Sequence, residues 1–181
     1  TRTSLVAYPL PIVGIVLATV LGTLAGIALM RRWVAARRPD ATLRALWTGL
    51  AIAVPGFALY PVMPTAELAI VMQLFAFTGQ AMAAAAGPSS ITLIAPGQIK
   101  SQATAIYYLC IGIFGQLLGP PPVGLMTDLF GDPAKLRYAM TIEAATIGTL
   151  ALVLVALGMS RYRRCVVEVD ELIAPGQAAH A

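Results

Sequence analysis

Side chains able to do chemistry are sparse in this 181-residue chain. Gln73, Phe77 and Gln80 recur at i, i+4 and i+7, the spacing of one helical face. Gln102, Ile106, Ile113 and Gln116 share a second face, flanked by Tyr107 and Tyr108. Amides and phenols can hydrogen-bond to a solute and aromatic rings can stack on one, which suits a solvated path. The same groups could instead hold helices together by hydrogen bonds, and spacing leaves both readings open. Glu143 is the only acid inside an apolar run. A buried carboxylate could take up and release a proton. Its place near the outer end of its helix predicts a snorkelling or locally paired side chain instead.

Groupings that would signal catalysis are missing. The sequence has no cluster of histidines, no Cys/His metal spacing, no nucleophile elbow and no glycine-rich phosphate loop. The single histidine, His180, is penultimate. Cys110 lies inside an apolar run and Cys165 beside a basic cluster, so no disulfide framework is implied. An enzyme is not expected, and neither is a metal or a cofactor.

The elements that must carry these residues are set by composition. Hydrophobic residues make up 59% of the chain and charged residues 11%, far below the quarter or so of a soluble domain. Residues 3–30, 45–66, 68–99 and 101–127 contain no charge, and 138–160 contains only Glu143. Each run reaches the ~20 residues a helix needs to cross ~30 Å of hydrocarbon. The expectation is an all-α polytopic membrane bundle over residues 1–160, with five spans near 5–30, 43–60, 68–95, 101–127 and 138–159. Residues 161–181 are expected to form a flexible cytoplasmic tail.

Charge sets the topology. Arg31, Arg32, Arg37, Arg38 and Arg44 follow the first span, Lys100 the third, and Arg161, Arg163 and Arg164 the last. Placing these inside leaves Arg2, Lys135 and Arg137 outside, so an external N-terminus and a cytoplasmic C-terminus are expected. The net charge of +4 is a topology signal rather than a nucleic-acid footprint, because the basic residues flank spans. The first run is longer than a signal-peptide core and lacks a preceding basic cluster and a cleavage site, so it reads as a span, and Thr1 in place of Met reads as a fragment or a mis-started product.

Small residues give the packing expectations. Gly14, Ala18, Gly22 and Gly26 form a stripe at four-residue steps, and Gly112, Gly115 and Gly119 form another. Pro120, Pro121 and Pro122 cannot sit inside an unbroken helix, so the fourth span should kink or open there.

Residues Gly87, Pro88, then Pro96 to Ala103, and Gly115, Gly119, Pro120, Gly124 and Leu125 to Asp128 resemble the helix 10 to helix 11 region of major facilitator superfamily carriers. In that family a basic residue marks the inner turn, here Lys100, and a Gly-Pro followed by Gly-x-x-x-Asp closes the next helix. Gly26, Arg31, Arg37 and Arg38 resemble the family's inner-loop motif, with Met30 at its Asp position and a longer insert around Trp33. The resemblance covers Leu5 to Met159 as helices 8 to 12 of a twelve-helix carrier, nearest the spinster-like and anion:cation symporter branches. It implies a secondary transporter moving a small solute by alternating access, with a possible coupling ion, a lipid bilayer around it and the N-terminal half of the carrier as partner. The family's cavity then implies Gln73, Phe77, Gln80, Tyr107 and Gln116 as solute-binding residues. Gly26, Arg31, Lys100, Gly119, Pro120, Gly124 and Asp128 become conformational motif residues. The other reading is a five-span subunit or scaffold without transport.

Overall fold

The computed structural model describes residues 9–95, 97, 99–115, 120–132 and 135–178. Among them every regular element is helical: α1 Pro9–Ala35, α2 Ala41–Leu59, α3 Ala66–Ile94, α4 Lys100–Cys110, α5 Pro120–Phe130 and α6 Leu136–Ala178. A 3₁₀ turn, Tyr60–Val62, follows α2, and a π turn, Ile111–Gly115, follows α4.

Local chemistry explains the boundaries. At the end of α1 the N–H of Arg38 donates to the Trp33 carbonyl at 3.1 Å and that of Arg37 to Val34 at 2.9 Å. This is a Schellman closure with Arg37, at φ 53°, in the left-handed position usually given to glycine. Pro39 follows and cannot extend the helix. The last turn of α2 tightens at Pro61, and Met63 leaves it in extended conformation. Thr65 then caps α3, its hydroxyl accepting from the Leu68 N–H at 3.4 Å.

Four helical stretches are long and apolar enough to cross a membrane: Ile12–Ala35, Ala41–Val62, Ala66–Ile94 and Leu136–Val169. Their outer faces are apolar, as with Leu21 at 62% and Leu157 at 69% exposure. A water-soluble bundle would bury such faces; hydrocarbon solvates them. The chain has the character of a multi-pass membrane protein.

The expected fourth span, 101–127, is described in two parts: α4 runs directly into the π turn, giving helix over 100–115, α5 covers Pro120–Phe130, and residues 116–119 lie outside the described set. Pro120, Pro121 and Pro122 stand at the start of α5, and the kink or opening expected before them falls on residues outside the described set. The expected flexible tail is also corrected, because α6 continues as helix to Ala178, roughly 27 Å beyond Ser160. Tyr162 and Arg163 anchor that extension to the bundle, as described below.

α3 is the centre of the bundle and packs against both α1 and α2; α2 also packs against α6, α6 against α5, and α4 against α3. Small residues make this possible, since helices in lipid associate by close backbone approach. Ala45, Ala53, Ala76 and Ala86 are all at most 2% exposed. Gly49 and Gly79 face each other across α2 and α3: a Cβ on Gly49 would stand 2.8 Å from the Gly79 carbonyl oxygen, and one on Gly79 2.6 Å from that of Gly49. The stripe on α1 seats as expected, with Gly14 against Leu74, Gly22 against the Thr78 backbone and Gly26 against Met82. In the second stripe a Cβ on Gly112 or Gly115 would meet nothing within 4 Å, and Gly119 lies outside the described residues.

Candidate functional site

A cavity of about 800 Å³ opens between α2, α6, the π turn and one side chain of α3. Its walls are apolar, built from residues such as Phe57, Phe114, Met140 and Ile147, and among the described residues three polar side chains interrupt them: Tyr60, Gln80 and Glu143. The helices deliver these groups from different directions. Tyr60 closes α2 in its tight last turn, Gln80 comes from the middle of α3, and Glu143 stands two turns into α6. Glu143 is half-buried and has no ion-pair partner among the described residues. An apolar cavity with a few convergent polar groups is the usual form of a small-molecule site.

The residues expected from sequence divide. Gln80 lines the cavity. Phe77 supports its wall, meeting Phe57 edge to face with centroids 5.8 Å apart and planes at 70°. Gln73 is half-buried but does not line it. Tyr107 lies elsewhere: its hydroxyl covers Gly87 of α3, and its ring meets Tyr108 at 5.4 Å and 68°. Gln116 and Gly119 lie outside the described residues. Glu143 and Tyr60 were not expected as site residues. The signal for Glu143 was its standing as the one acid in a span; for Tyr60 it was only a place at a helix end.

The motif residues have structural places. Gly26 fits against Met82, Arg31 rims a shallow cleft beside Thr42 and Ser89, and Lys100 opens α4. Pro120 opens α5, Gly124 faces open space, and the Asp128 carbonyl accepts from the Gly131 N–H at 3.0 Å in the turn after α5.

The arginine-rich end of the bundle carries a second constellation. Asp40, 1% exposed at the start of α2, accepts from Arg44 Nε at 2.8 Å and from Arg163 Nη2 at 3.0 Å through the same Oδ2. Burial pushes its carboxyl up, but the hydrogen bonds and charges of Arg44 and Arg163 outweigh that and hold it below the ordinary value. Beside it the Tyr162 hydroxyl donates to the Ser90 carbonyl at 3.0 Å and lies 2.8 Å from Thr42 Oγ1, which is left as the donor. One phenol therefore joins α2, α3 and α6. A cavity of about 620 Å³ at the same end is lined by Arg37, Arg38 and Lys100. The three basic segments of the sequence thus gather at one end of the bundle.

Among the described residues, no three histidine, cysteine or acidic side chains group as a metal site would need. No protein-family model matches the chain, and no curated protein or solved structure matches it either.

Proposed function

We propose that this chain forms part of a secondary active transporter that moves a small solute across the membrane by alternating access. The observation that carries the reading is the cavity among the apolar helices whose lining, among the described residues, is apolar except for Tyr60, Gln80 and Glu143. A bundle built only to pack would fill that space, since helix association in lipid rests on contact. The major facilitator resemblance of residues 87–128 supports the same reading, with this chain as helices 8 to 12 and the preceding helices completing the solute path. In this proposal α4, the π turn and α5 together make the fourth of five crossings. The arginine-rich end faces the cytoplasm, as the distribution of basic residues favours, and an ion gradient drives uptake or export.

The test is uptake profiling. Membrane vesicles carrying the complete reading frame are energised with a proton or sodium gradient and offered a mixture of small solutes, and accumulation is compared with vesicles carrying Gln80→Leu or Glu143→Gln. At least one solute should accumulate in a gradient-dependent way and fall in both variants. If none differs from empty vesicles at normal expression, the chain is a membrane subunit or scaffold.

A further inference from the structure

We infer that the arginine-rich end holds a binding site for an anionic phospholipid, its phosphate on Arg37, Arg38 and Lys100 and its acyl chain along Leu93, Val166 and Val167. These residues line one cavity of about 620 Å³, and they come from three separate places: the loop after α1, the junction of α3 and α4, and the extension of α6. Among the described residues no acidic side chain lines it. The described ion pairs engage Arg44 and Arg163 with Asp40, leaving the charges of Arg37, Arg38 and Lys100 unneutralised by any described acid.

Two further observations favour an occupant. The Schellman closure that holds Arg37 at φ 53° fixes the backbone of this corner, with Arg38 beside it. Asp40, Thr42, Ser90, Tyr162 and Arg163 fix the α6 extension against α2 and α3, which positions the Val166 and Val167 wall opposite the cations.

Charge alone would admit any phosphate; the apolar wall selects a lipid. The site lies where Ile12–Ala35 and Ala66–Ile94 end, at the level where a helix leaves hydrocarbon and headgroups begin. A phosphodiester there meets the cations while its acyl chain stays on valine and leucine. Basic pockets between spans are established headgroup sites in physical terms, each cation adding to attraction for anionic lipid. The site does not depend on transport.

The experiment is lipid competition on the purified full chain in detergent, offered equimolar phosphatidylglycerol and phosphatidylcholine and read by native mass spectrometry. Phosphatidylglycerol should be retained preferentially, with each lost cation reducing the preference about fivefold. The R37Q/R38Q/K100Q variant should lose it, whereas R32Q/R161Q/R164Q, which removes the same charge outside this cavity, should keep it. Arg38→Gln alone gives the same reading at smaller amplitude should the triple variant misfold. The proposal is overturned by equal retention of both lipids in the wild-type chain or by equal losses in the two triple variants. Displacement of the lipid by millimolar inorganic phosphate also overturns it, because the site would then be one for a free anion.

Discussion

Arg163, just past Ser160 in the extension of the last helix, donates to the carboxylate of Asp40 in the first loop at 3.0 Å, across 123 positions of sequence. The contact ties α6 to the junction of α1 and α2 and leaves a nearly fully buried acid compensated by two arginines.

Asp40→Asn should therefore destabilise the bundle. Removing one partner of a buried pair costs about 3–5 kcal/mol. Here the arginine side chains are 32% and 54% exposed and can be rehydrated, so a loss of about 1–2 kcal/mol is expected. A lowered midpoint of thermal unfolding in detergent checks it.

The same pair sets a pH dependence. Because the folded-state carboxyl lies below its ordinary 3.8, its contribution is complete above that value and is lost as pH falls through the depressed one. The gap between wild type and Asp40→Asn should hold from neutrality down to mildly acidic pH and close only in strong acid. Unfolding midpoints of both proteins across pH decide this; a gap that closes near neutrality would contradict it.

Tyr162→Phe removes only a hydroxyl, but that hydroxyl serves Thr42 and Ser90 together. A loss of about 0.5–1.5 kcal/mol is expected. It should be non-additive with Thr42→Val in a double-mutant cycle, since both changes break the same link.

Two glycine substitutions should part company. At Gly79 a new Cβ would meet the Ala53 backbone nitrogen at 2.5 Å and the Gly49 carbonyl at 2.6 Å, so Gly79→Ala must push α2 and α3 apart and lower stability. At Gly124 a Cβ meets nothing. Gly124→Ala should be neutral or stabilising by up to about 1 kcal/mol, through helix propensity alone.

Within the transport reading, Gln80→Leu should weaken solute affinity by up to about tenfold, the loss of one good hydrogen bond. Gln73→Leu should not, because Gln73 does not line the cavity. Uptake in the complete protein, normalised to membrane expression, separates the two.

Composition over windows of about 20 residues makes the long apolar helices legible, because desolvating a helix depends on its whole length and little on its neighbours. The α1 stripe was legible for a similar reason: Gly14, Gly22 and Gly26 need only some partner, and α3 supplies it. The π turn at Ile111–Gly115 and the helical run past Ser160 were not. The first is a hydrogen-bond choice that several apolar sequences can make, and the second rests on Tyr162 and Arg163 meeting residues more than 70 positions away. Helical spacing singled out Gln80 and Phe77, which stand in the cavity wall and against Phe57. Glu143 was discounted because depth within its own helix says nothing about which neighbour it faces.

α6 passes unbroken from Glu143 in the cavity wall to Tyr162 at the arginine-rich end. The distance between them is roughly 28 Å. As a stiff rod it behaves as a lever: a tilt of about two degrees about the cavity moves the Tyr162 end by roughly 1 Å. That displacement stretches its 2.8 Å contact with Thr42 beyond hydrogen-bond range. Widening the cavity by tilting this helix therefore requires the phenol to let go, so the grip at one end sets the stiffness of the space at the other.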